Sequence, residues 1–211
     1  EGSRGLGDVY KRQLYFSSLD LTFTDAFFES VSGITTTGST ILPDIERASK
    51  GILVWRSLLQ WLGGIGIIVM AITILPLLNI GGMQLFRSEG MEVEKVVPKV
   101  TGIALSITKI YIFITILCSL AYWLAGMNVF DSINHALTTV STGGYSTHSQ
   151  SIGYFNSSLI EVVAIIFIIT GSVPFLAYIK FTRGDLFVFF KDKQIIGCLL
   201  YTSDAADDGL C

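Results

Sequence analysis

The sequence has little charge, few cysteines and almost no histidine. Only 15% of its 211 residues are charged, whereas 51% are hydrophobic, and the mean hydropathy is +0.61. A soluble domain normally carries about 25% charged residues. This shortage excludes an ordinary soluble domain. It predicts an all-α integral membrane protein, because helices satisfy their own backbone hydrogen bonds in lipid.

The scarcity of metal-binding and nucleophilic side chains argues against an enzyme. The three cysteines form no CxxC pair and no disulfide framework, and they are Cys118, Cys198 and Cys211. Cys118 falls within an apolar run, where a small buried residue is expected. With two histidines and no HExxH motif, the one alternative left open is a metal or catalytic site built from Asp131, His135 and His148. We therefore predict no enzyme and no catalytic residues.

Long apolar runs are what the sequence has in abundance. Three of them can each cross a bilayer, which takes about 20 helical residues, and they are Trp55–Leu78, Ser106–Ala125 and Leu159–Phe181. Lys109, near the start of the second run, can reach the membrane surface with its side chain. Gly171–Pro174 interrupts the third run as either a hinge or a tolerated kink. Gly63, Gly64 and Gly66 in the first run predict close helix packing.

A hydroxyl- and glycine-rich stretch occurs twice. Ser32–Ser39 reads SGITTTGS, and Thr138–Tyr145 reads TTVSTGGY at a spacing that aligns Gly38 with Gly144. Each stretch follows a short amphipathic run, predicted at Asp25–Ser32 and Asp131–Val140, and each precedes an apolar run. This order is typical of a re-entrant pore loop, since non-helical backbone lies at membrane depth only where it is buried in protein or lines water.

The composition of the two loops suits a cation-selectivity filter. Backbone carbonyls can replace the hydration shell of a cation, and glycine reaches the backbone conformations that turn successive carbonyls toward one axis without a Cβ penalty. Neither loop contains a carboxylate. We predict K⁺ binding through the carbonyls of Gly38 and Gly144, with neighbouring oxygens from Thr36, Thr37, Thr142 and Gly143.

The short helices support the same interpretation. Each directs the partial negative charge of its C-terminal end toward the filter. Thr22–Asp25 fits a capping box, and Asp25 and Asp131 are assigned to helix capping rather than to ion binding. The aligned residues Glu29 and His135 are expected to pack or hydrogen-bond behind the filter. Phe27, Phe28 and Val31 are expected on the packing face of the first short helix.

The distribution of Lys and Arg predicts the membrane orientation. Met83–Lys99 holds three basic residues and Lys180–Lys193 holds four, whereas Gly126–Leu159 holds none. By the positive-inside rule both glycine loops enter from the outer face. Arg47, Lys50 and Arg56 fall in the first outer segment and weaken this assignment.

Both ends of the chain lack the apolar character and the periodicity of the interior, and they are predicted to be non-native flanks. The predicted organisation is a flank at 1–13, a partial first repeat at 14–82, a cytoplasmic connection at 83–105, a second repeat at 106–197 and a flank at 198–211. The fold is then about three transmembrane helices plus two re-entrant pore helices.

Three long segments carry a family resemblance. DAFFESVSGITTTGSTIL, LLQWLGGIGIIVMAITILPLLNIGGMQLFRSEG and FDSINHALTTVSTGGYSTHSQSIGYF closely resemble the bacterial TrkH/TrkG potassium-uptake subunits of the wider Trk/Ktr/HKT superfamily. The resemblance implies four helix–pore loop–helix repeats around one pore, each contributing one filter glycine. Gly38 and Gly144 match the first two. A glycine at position 38, where sodium-selective plant relatives have serine, implies potassium.

The resemblance also implies what surrounds this chain. It places the parent protein in the bacterial cytoplasmic (inner) membrane as a multi-pass, homodimeric subunit that works with a TrkA-type nucleotide-binding partner. NAD(H) or ATP would bind to that partner, because this sequence has no nucleotide motif. The outer helix of the first repeat and the third and fourth repeats have no counterpart here, so the chain is expected to hold half of a filter. Sodium-coupled Ktr-type uptake and a non-conducting structural module remain the alternatives.

Overall fold

The computed structural model describes residues 22–42, 44–74 and 96–182. Regular structure in these ranges is entirely helical, which confirms the all-α class. The helices are α1 (Phe23–Ile34), α2 (Lys50–Ile74), α3 (Val96–Leu124), α4 (Val129–Val140), α5 (Ser158–Ser172) and α6 (Phe175–Thr182), with 3₁₀ turns at Ile45–Arg47 and Ser151–Phe155.

The order of elements repeats. A short helix, a loop without regular structure, a 3₁₀ turn and an apolar helix occur as α1 to α2 and again as α4 to α5. The two 3₁₀ turns begin at Ile45 and Ser151, the same spacing that aligns Gly38 with Gly144. Helix α3 precedes the second unit and packs mainly against α4. The repeat inferred from the loops therefore extends over the whole helix–loop–helix unit.

The first turns of the two short helices are capped differently. At α1 the predicted capping box forms, because Thr22 Oγ1 accepts from the Asp25 N–H and the Asp25 carboxylate accepts from the Thr22 N–H at 3.0 Å. At α4 the cap is Asn128, whose Oδ1 accepts from the Asp131 N–H at 2.9 Å. Asp131 lies in this first turn, as predicted, and its carboxylate accepts from Asn128 Nδ2 at 2.5 Å as well as from groups outside the helix.

Several helices begin earlier than hydropathy predicts. Helix α2 begins at Lys50 rather than Trp55, because a helix can continue beyond the apolar run on which the hydropathy prediction depends. Helix α3 begins at Val96, inside the predicted cytoplasmic connection, instead of at Ser106. The expected end of the first span at Pro76–Leu78 lies outside the described residues. So do most of the basic residues on which the orientation depends, and the orientation stays a prediction.

The long helices have the surface of a membrane protein. On α3 one stripe is fully buried at Ile107, Tyr111, Cys118 and Tyr122, while the opposite stripe exposes large apolar side chains such as Phe113 and Leu124. Lys50–Met70 and Gly102–Leu124 are each apolar and long enough to span a bilayer. The predicted third span is a shorter apolar helix, α5, followed by a break at Val173–Pro174 and α6. The interruption predicted there is confirmed.

One predicted packing face is wrong. Phe27, Phe28 and Val31 are exposed, whereas Ala26 and Glu29 on the other side of α1 are buried. The small and polar face packs because α1 lies against the glycine-containing stretch of α2, where a bulky side chain would not fit. The aromatic face of α1 points away from the part of the chain that the structure describes.

Candidate functional site

The two glycine loops have the same backbone conformation. Thr36 and Gly38 have positive φ angles of 55° and 78°, and their counterparts Thr142 and Gly144 have 53° and 82°. A positive φ is uncommon for a threonine and is tolerated where the surroundings over-determine it, often at functional sites. Left-handed residues at alternate positions allow successive carbonyls to turn toward one side of the chain.

The loops also touch each other. A Cβ atom added to Gly38 would lie 2.0 Å from the Gly143 carbonyl oxygen, so the first loop packs directly on the backbone of the second. A Cβ on Gly143 would lie 2.4 Å from the Gln60 side chain. Among the residues that the structure describes, none has a heavy atom within 4 Å of the Cβ position of Gly144. The structure thus brings all six predicted site residues into one region: Thr36, Thr37, Gly38, Thr142, Gly143 and Gly144.

Glycines of the apolar helices receive the C-terminal ends of the short helices. A Cβ on Gly63 would lie 2.0 Å from the Ile34 carbonyl oxygen, and one on Gly171 would lie 2.8 Å from the Val140 carbonyl oxygen. Ile34 and Val140 are the last residues of α1 and α4. The close packing predicted for Gly63 is thus a contact with the C-terminal end of α1. The negative end of each short helix's dipole lies at the start of the loop that follows that helix. Gly66, by contrast, has no neighbour within 4 Å.

Gln60 of α2 fastens the second loop to the first repeat. Its Nε2 donates to the Gly143 carbonyl at 2.9 Å, and its Oε1 accepts from the Tyr145 N–H at 3.1 Å. The side chain is completely buried. The Gln60 amide thus provides hydrogen-bond partners for two buried backbone groups, the Gly143 carbonyl and the Tyr145 N–H, which flank Gly144.

A buried ion pair supports the first loop. Arg56 Nε and Nη2 lie 2.8 and 2.7 Å from Glu29 Oε1, and both residues are 1% exposed. The carboxylate also accepts from the Thr40 hydroxyl at 2.9 Å and the Ile41 N–H at 3.1 Å. Since a buried charge is tolerated only when it is paired and hydrogen-bonded, this network holds the chain that leaves the first loop. Glu29 therefore has the supporting position expected of it.

Tyr145 joins the second loop to this network. Its hydroxyl donates to the Glu29 carbonyl at 2.9 Å, and the Arg56 guanidinium carbon lies 4.1 Å from the centre of its ring. Burial raises the pKa of the Tyr145 hydroxyl to about 12, so it stays a donor. The residue after Gly144 of the second repeat is thereby held behind the loop of the first repeat.

The second loop has a different support. His135 Nδ1 lies 2.9 Å from the Asp131 carbonyl and must donate to it, so in the neutral ring Nε2 accepts from the Ser146 hydroxyl at 3.0 Å. The Asp131 carboxylate accepts from Thr147 Oγ1 at 2.6 Å and lies 3.2 Å from His148 Nε2. Burial acts to raise the pKa of Asp131, but these hydrogen bonds outweigh it and the pKa is lowered.

These contacts do not form a metal centre. Asp131 pairs with His148, whereas the His135 ring bonds to Ser146 and to a backbone carbonyl. No group of three His, Cys, Asp or Glu side chains able to hold a metal ion occurs in residues 22–42, 44–74 and 96–182. The same side chains serve to fix the segment that follows the second loop.

Sequence reasoning missed Arg56 and Gln60. Arg56 was assigned to the outer segment, yet it is buried, because Glu29 lies beside it at the level of α1. The sequence does contain a signal for both residues. Arg56 and Gln60 are isolated polar groups within an apolar run, and such groups need hydrogen-bonding or charged partners when they are buried. Glu29, alone on an otherwise uncharged part of α1, was the corresponding anion.

Comparisons with known proteins identify the family of the chain. The family model of TrkH, described as a cation transport protein, matches residues 7–192. The chain is 45% identical over 189 residues to the Trk system potassium uptake protein TrkI of Halomonas elongata, covering 89% of this chain and 38% of that protein. It is 43% identical over 194 residues to TrkH of Escherichia coli K12, covering 90% of this chain and 40% of that protein.

The fold agrees as well. The crystal structure of the potassium transporter TrkH from Vibrio parahaemolyticus matches with a TM-score of 0.74 and 38% sequence identity. The match covers 85% of this chain and 36% of that one. The chain therefore spans well under half the length of these relatives.

Proposed function

Because the chain belongs to the TrkH family of cation transport proteins, we propose that it supplies part of the pore-forming subunit of a bacterial potassium uptake transporter. Within that subunit it contributes two of the loops that form the selectivity filter. The two relatives described above are potassium uptake proteins. They are membrane transporters rather than enzymes.

One observation carries the proposal. The two loops repeat the same left-handed residues, Thr36 with Gly38 and Thr142 with Gly144, and Gly38 lies against the Gly143 carbonyl. For the two threonines this conformation costs about 1–3 kcal/mol each and persists only where the surroundings enforce it, whereas glycine adopts it without a Cβ penalty. Its repetition in two loops that touch is what a ring of carbonyls around a shared axis requires.

In this mechanism the residues act through their backbone. The carbonyls of Gly38 and Gly144, with those of Thr36, Thr37 and Thr142, replace water around K⁺, whereas the Gly143 carbonyl, predicted from the sequence to join them, is bonded to Gln60 behind the loop. The C-terminal ends of α1 and α4 add a negative potential that favours a cation. K⁺ is the transported ion rather than a resident cofactor.

We extend the proposal to the wider assembly. The parent subunit would lie in the cytoplasmic membrane, dimerise, and work with a TrkA-type cytoplasmic partner that binds NAD(H) or ATP. The two loops by themselves would form half of a filter, so we assign conduction to the complete protein rather than to this chain alone.

The test is potassium uptake in a bacterial strain that lacks its own uptake systems. The complete gene encoding this chain would be expressed with Gly38→Ser, Gly144→Ser or Gly51→Ser. Gly51 is the matched control for Gly144, because both have space around the Cβ position among the described residues but Gly51 has no positive φ. We expect the two filter variants to lose growth at low potassium or to admit sodium, and Gly51→Ser to grow normally. Normal, potassium-selective growth of both filter variants would refute the proposal.

A further inference from the structure

Pro174 interrupts the backbone hydrogen bonds of the last apolar segment. Helix α5 ends at Ser172, Val173 is extended with φ −70° and ψ 134°, and α6 begins at Phe175. In a continuous helix the Thr170 carbonyl would accept from the N–H of residue 174, but proline has no N–H. The carbonyl therefore needs another donor, because backbone groups at membrane depth have no water to bond to.

Tyr178 supplies that donor from the next helix. Its hydroxyl donates to the Thr170 carbonyl at 2.6 Å, across the break. The hydroxyls of Thr170 and Ser172 are engaged elsewhere, since they donate to the carbonyls of Ile166 and Ile168 in α5 at 2.7 and 2.8 Å. The Tyr178 hydroxyl thus takes the place of the missing N–H, and it links α6 to α5 in one relative orientation.

The first repeat forms its loop without such a break. Gly63 and Gly171 each contact the last carbonyl of the short helix of their own repeat, which aligns Gly66 of α2 with Pro174. Helix α2 continues through Gly66 to Ile74 without interruption. The loop conformation therefore does not require a break, and what the break changes is the position of α6.

The first residue of α6 packs against the centre of α3. The ring centres of Phe175 and Tyr111 are 5.7 Å apart at an interplanar angle of 64°, and both side chains are buried. The Tyr111 hydroxyl donates to the Trp61 carbonyl of α2 at 3.1 Å. The Cβ position of Gly64 lies 2.9 Å from both this hydroxyl and Ser141 Cβ. Tyr111 therefore fills the corner between α2 and the residue that begins the second loop.

We propose that Tyr178 is a positioning residue for the second glycine loop. By linking α6 to α5 across the break, its hydroxyl keeps Phe175 against Tyr111. Tyr111 in turn keeps Ser141 in place beside Gly64. Tyr178 acts through these contacts and not as a ligand of the ion. The inference rests on the proposed function, because it assumes that the second loop selects K⁺.

The apolar contacts of α6 do not replace this hydrogen bond. Phe175 and Ile179 are buried in the same cluster as Tyr111. Apolar contact holds α6 against α3 but is non-directional, whereas a hydrogen bond has a preferred distance and angle. Loss of the Tyr178 hydroxyl alone should therefore loosen the angle between α5 and α6 while the cluster keeps the protein folded.

The test is the ratio of K⁺ to Na⁺ uptake by the complete protein, which does not depend on how much of the protein folds. We expect Tyr178→Phe to lower this ratio by about two- to tenfold, the range that corresponds to one lost hydrogen bond. Thr170→Val is the matched control, because it removes a hydroxyl at the break but keeps the carbonyl that Tyr178 binds. Its ratio should equal that of the wild type. An unchanged ratio in Tyr178→Phe, or an equal loss in both variants, would overturn the proposal.

A double-variant cycle tests the route through α3. Tyr111→Phe removes the donor to the Trp61 carbonyl and should lower the ratio as well. Because residues that act through one another are not additive, Tyr111→Phe combined with Tyr178→Phe should have the ratio of Tyr111→Phe alone. If the two losses multiplied, the residues would act independently and the proposed route would be wrong.

Gly38→Ser, measured in the same assay, separates this proposal from the proposed function. If Gly38→Ser loses selectivity whereas Tyr178→Phe keeps it, the filter assignment stands and only the positioning role fails. If Gly38→Ser and Gly144→Ser both keep the wild-type ratio, the proposed function fails and the positioning role fails with it.

Discussion

The two repeats hold the same loop conformation with different chemistry. Behind the first loop lies a buried ion pair, Glu29 with Arg56, and behind the second lies the His135–Ser146 pair. Glu29 and His135 occupy equivalent positions on α1 and α4. The comparison teaches that the backbone conformation is the shared requirement, and that the side chains which support it are interchangeable provided their polar atoms are satisfied.

The pair of side chains directly behind each loop carries no net charge. In the first repeat the carboxylate and the guanidinium compensate each other at 2.7 Å. In the second, His135 has one nitrogen donating and one accepting, which is the pattern of a neutral ring. An uncompensated charge at this depth would act strongly on a nearby cation, because interactions are poorly screened in a low-dielectric interior.

The glycines differ between repeats as well. Gly38 is constrained twice, by a positive φ and by the Gly143 carbonyl at its Cβ position, whereas Gly144 is constrained only by its φ. We therefore expect Gly38→Ala to be the most damaging change, since either the loop or its neighbour must shift. Gly144→Ala should cost about 1–2 kcal/mol, the usual penalty for a left-handed residue with a Cβ atom.

The measurement for the glycine pair is the ratio of K⁺ to Na⁺ uptake by the complete protein, with protein level in the membrane as a control. Gly38→Ala should lose uptake or selectivity, and Gly144→Ala should keep a measurable part of both. Equal losses in the two variants would show that the additional contact of Gly38 with the Gly143 carbonyl does not affect uptake or selectivity.

Breaking the ion pair should give the next largest effect. Arg56→Met leaves Glu29 buried without its cation, and removal of one partner of a buried pair costs about 3–5 kcal/mol. The double variant Glu29→Gln, Arg56→Met should recover much of that loss, because no charge is left uncompensated. Denaturant or thermal unfolding of the purified complete protein measures both. A double variant as unstable as Arg56→Met would contradict this explanation.

Gln60 tests the link between the repeats. Gln60→Leu preserves much of the volume but leaves the Gly143 carbonyl and the Tyr145 N–H buried without a partner, at about 1–3 kcal/mol for each group. We expect a lower K⁺ to Na⁺ uptake ratio, because the second loop loses its fixed position. Leu62→Ala is the control, since Leu62 lies on the exposed side of the same helix. An unchanged ratio in Gln60→Leu would mean that this amide supports stability only.

The smallest expected effect is at the outer contact between the repeats. Hydrogen bonds from Ser149 lower the pKa of the exposed Glu46 carboxyl to about 2. Its stabilising contribution is complete above its ordinary pKa of 4.5 and is lost as the pH falls toward 2. The difference in thermal midpoint between wild type and Glu46→Gln should be constant from pH 7 to about 5 and shrink below that. If the difference in thermal midpoint already changed between pH 7 and 6, the titration of a group other than Glu46 would be responsible.

The sequence by itself determined the class of protein and the place of the loops. Charge scarcity and apolar runs indicate a membrane helix bundle, and the recurrence of a Gly/Thr loop after an Asp-initiated helix located the six candidate residues. The capping box at Thr22 and the break near Pro174 were likewise readable, because both depend on local backbone chemistry. These features follow from residues close together in the chain.

Only the tertiary structure decided which groups stand behind the loops. Gln60 reaches Gly143 and Arg56 reaches Glu29 across many intervening residues, and no local periodicity encodes such pairs. The packing face of α1 was misjudged for the same reason, since hydrophobicity indicates a buried face without saying whether lipid or protein covers it. The small, polar face of α1 meets the glycines of α2, because only there can a helix end approach another backbone closely.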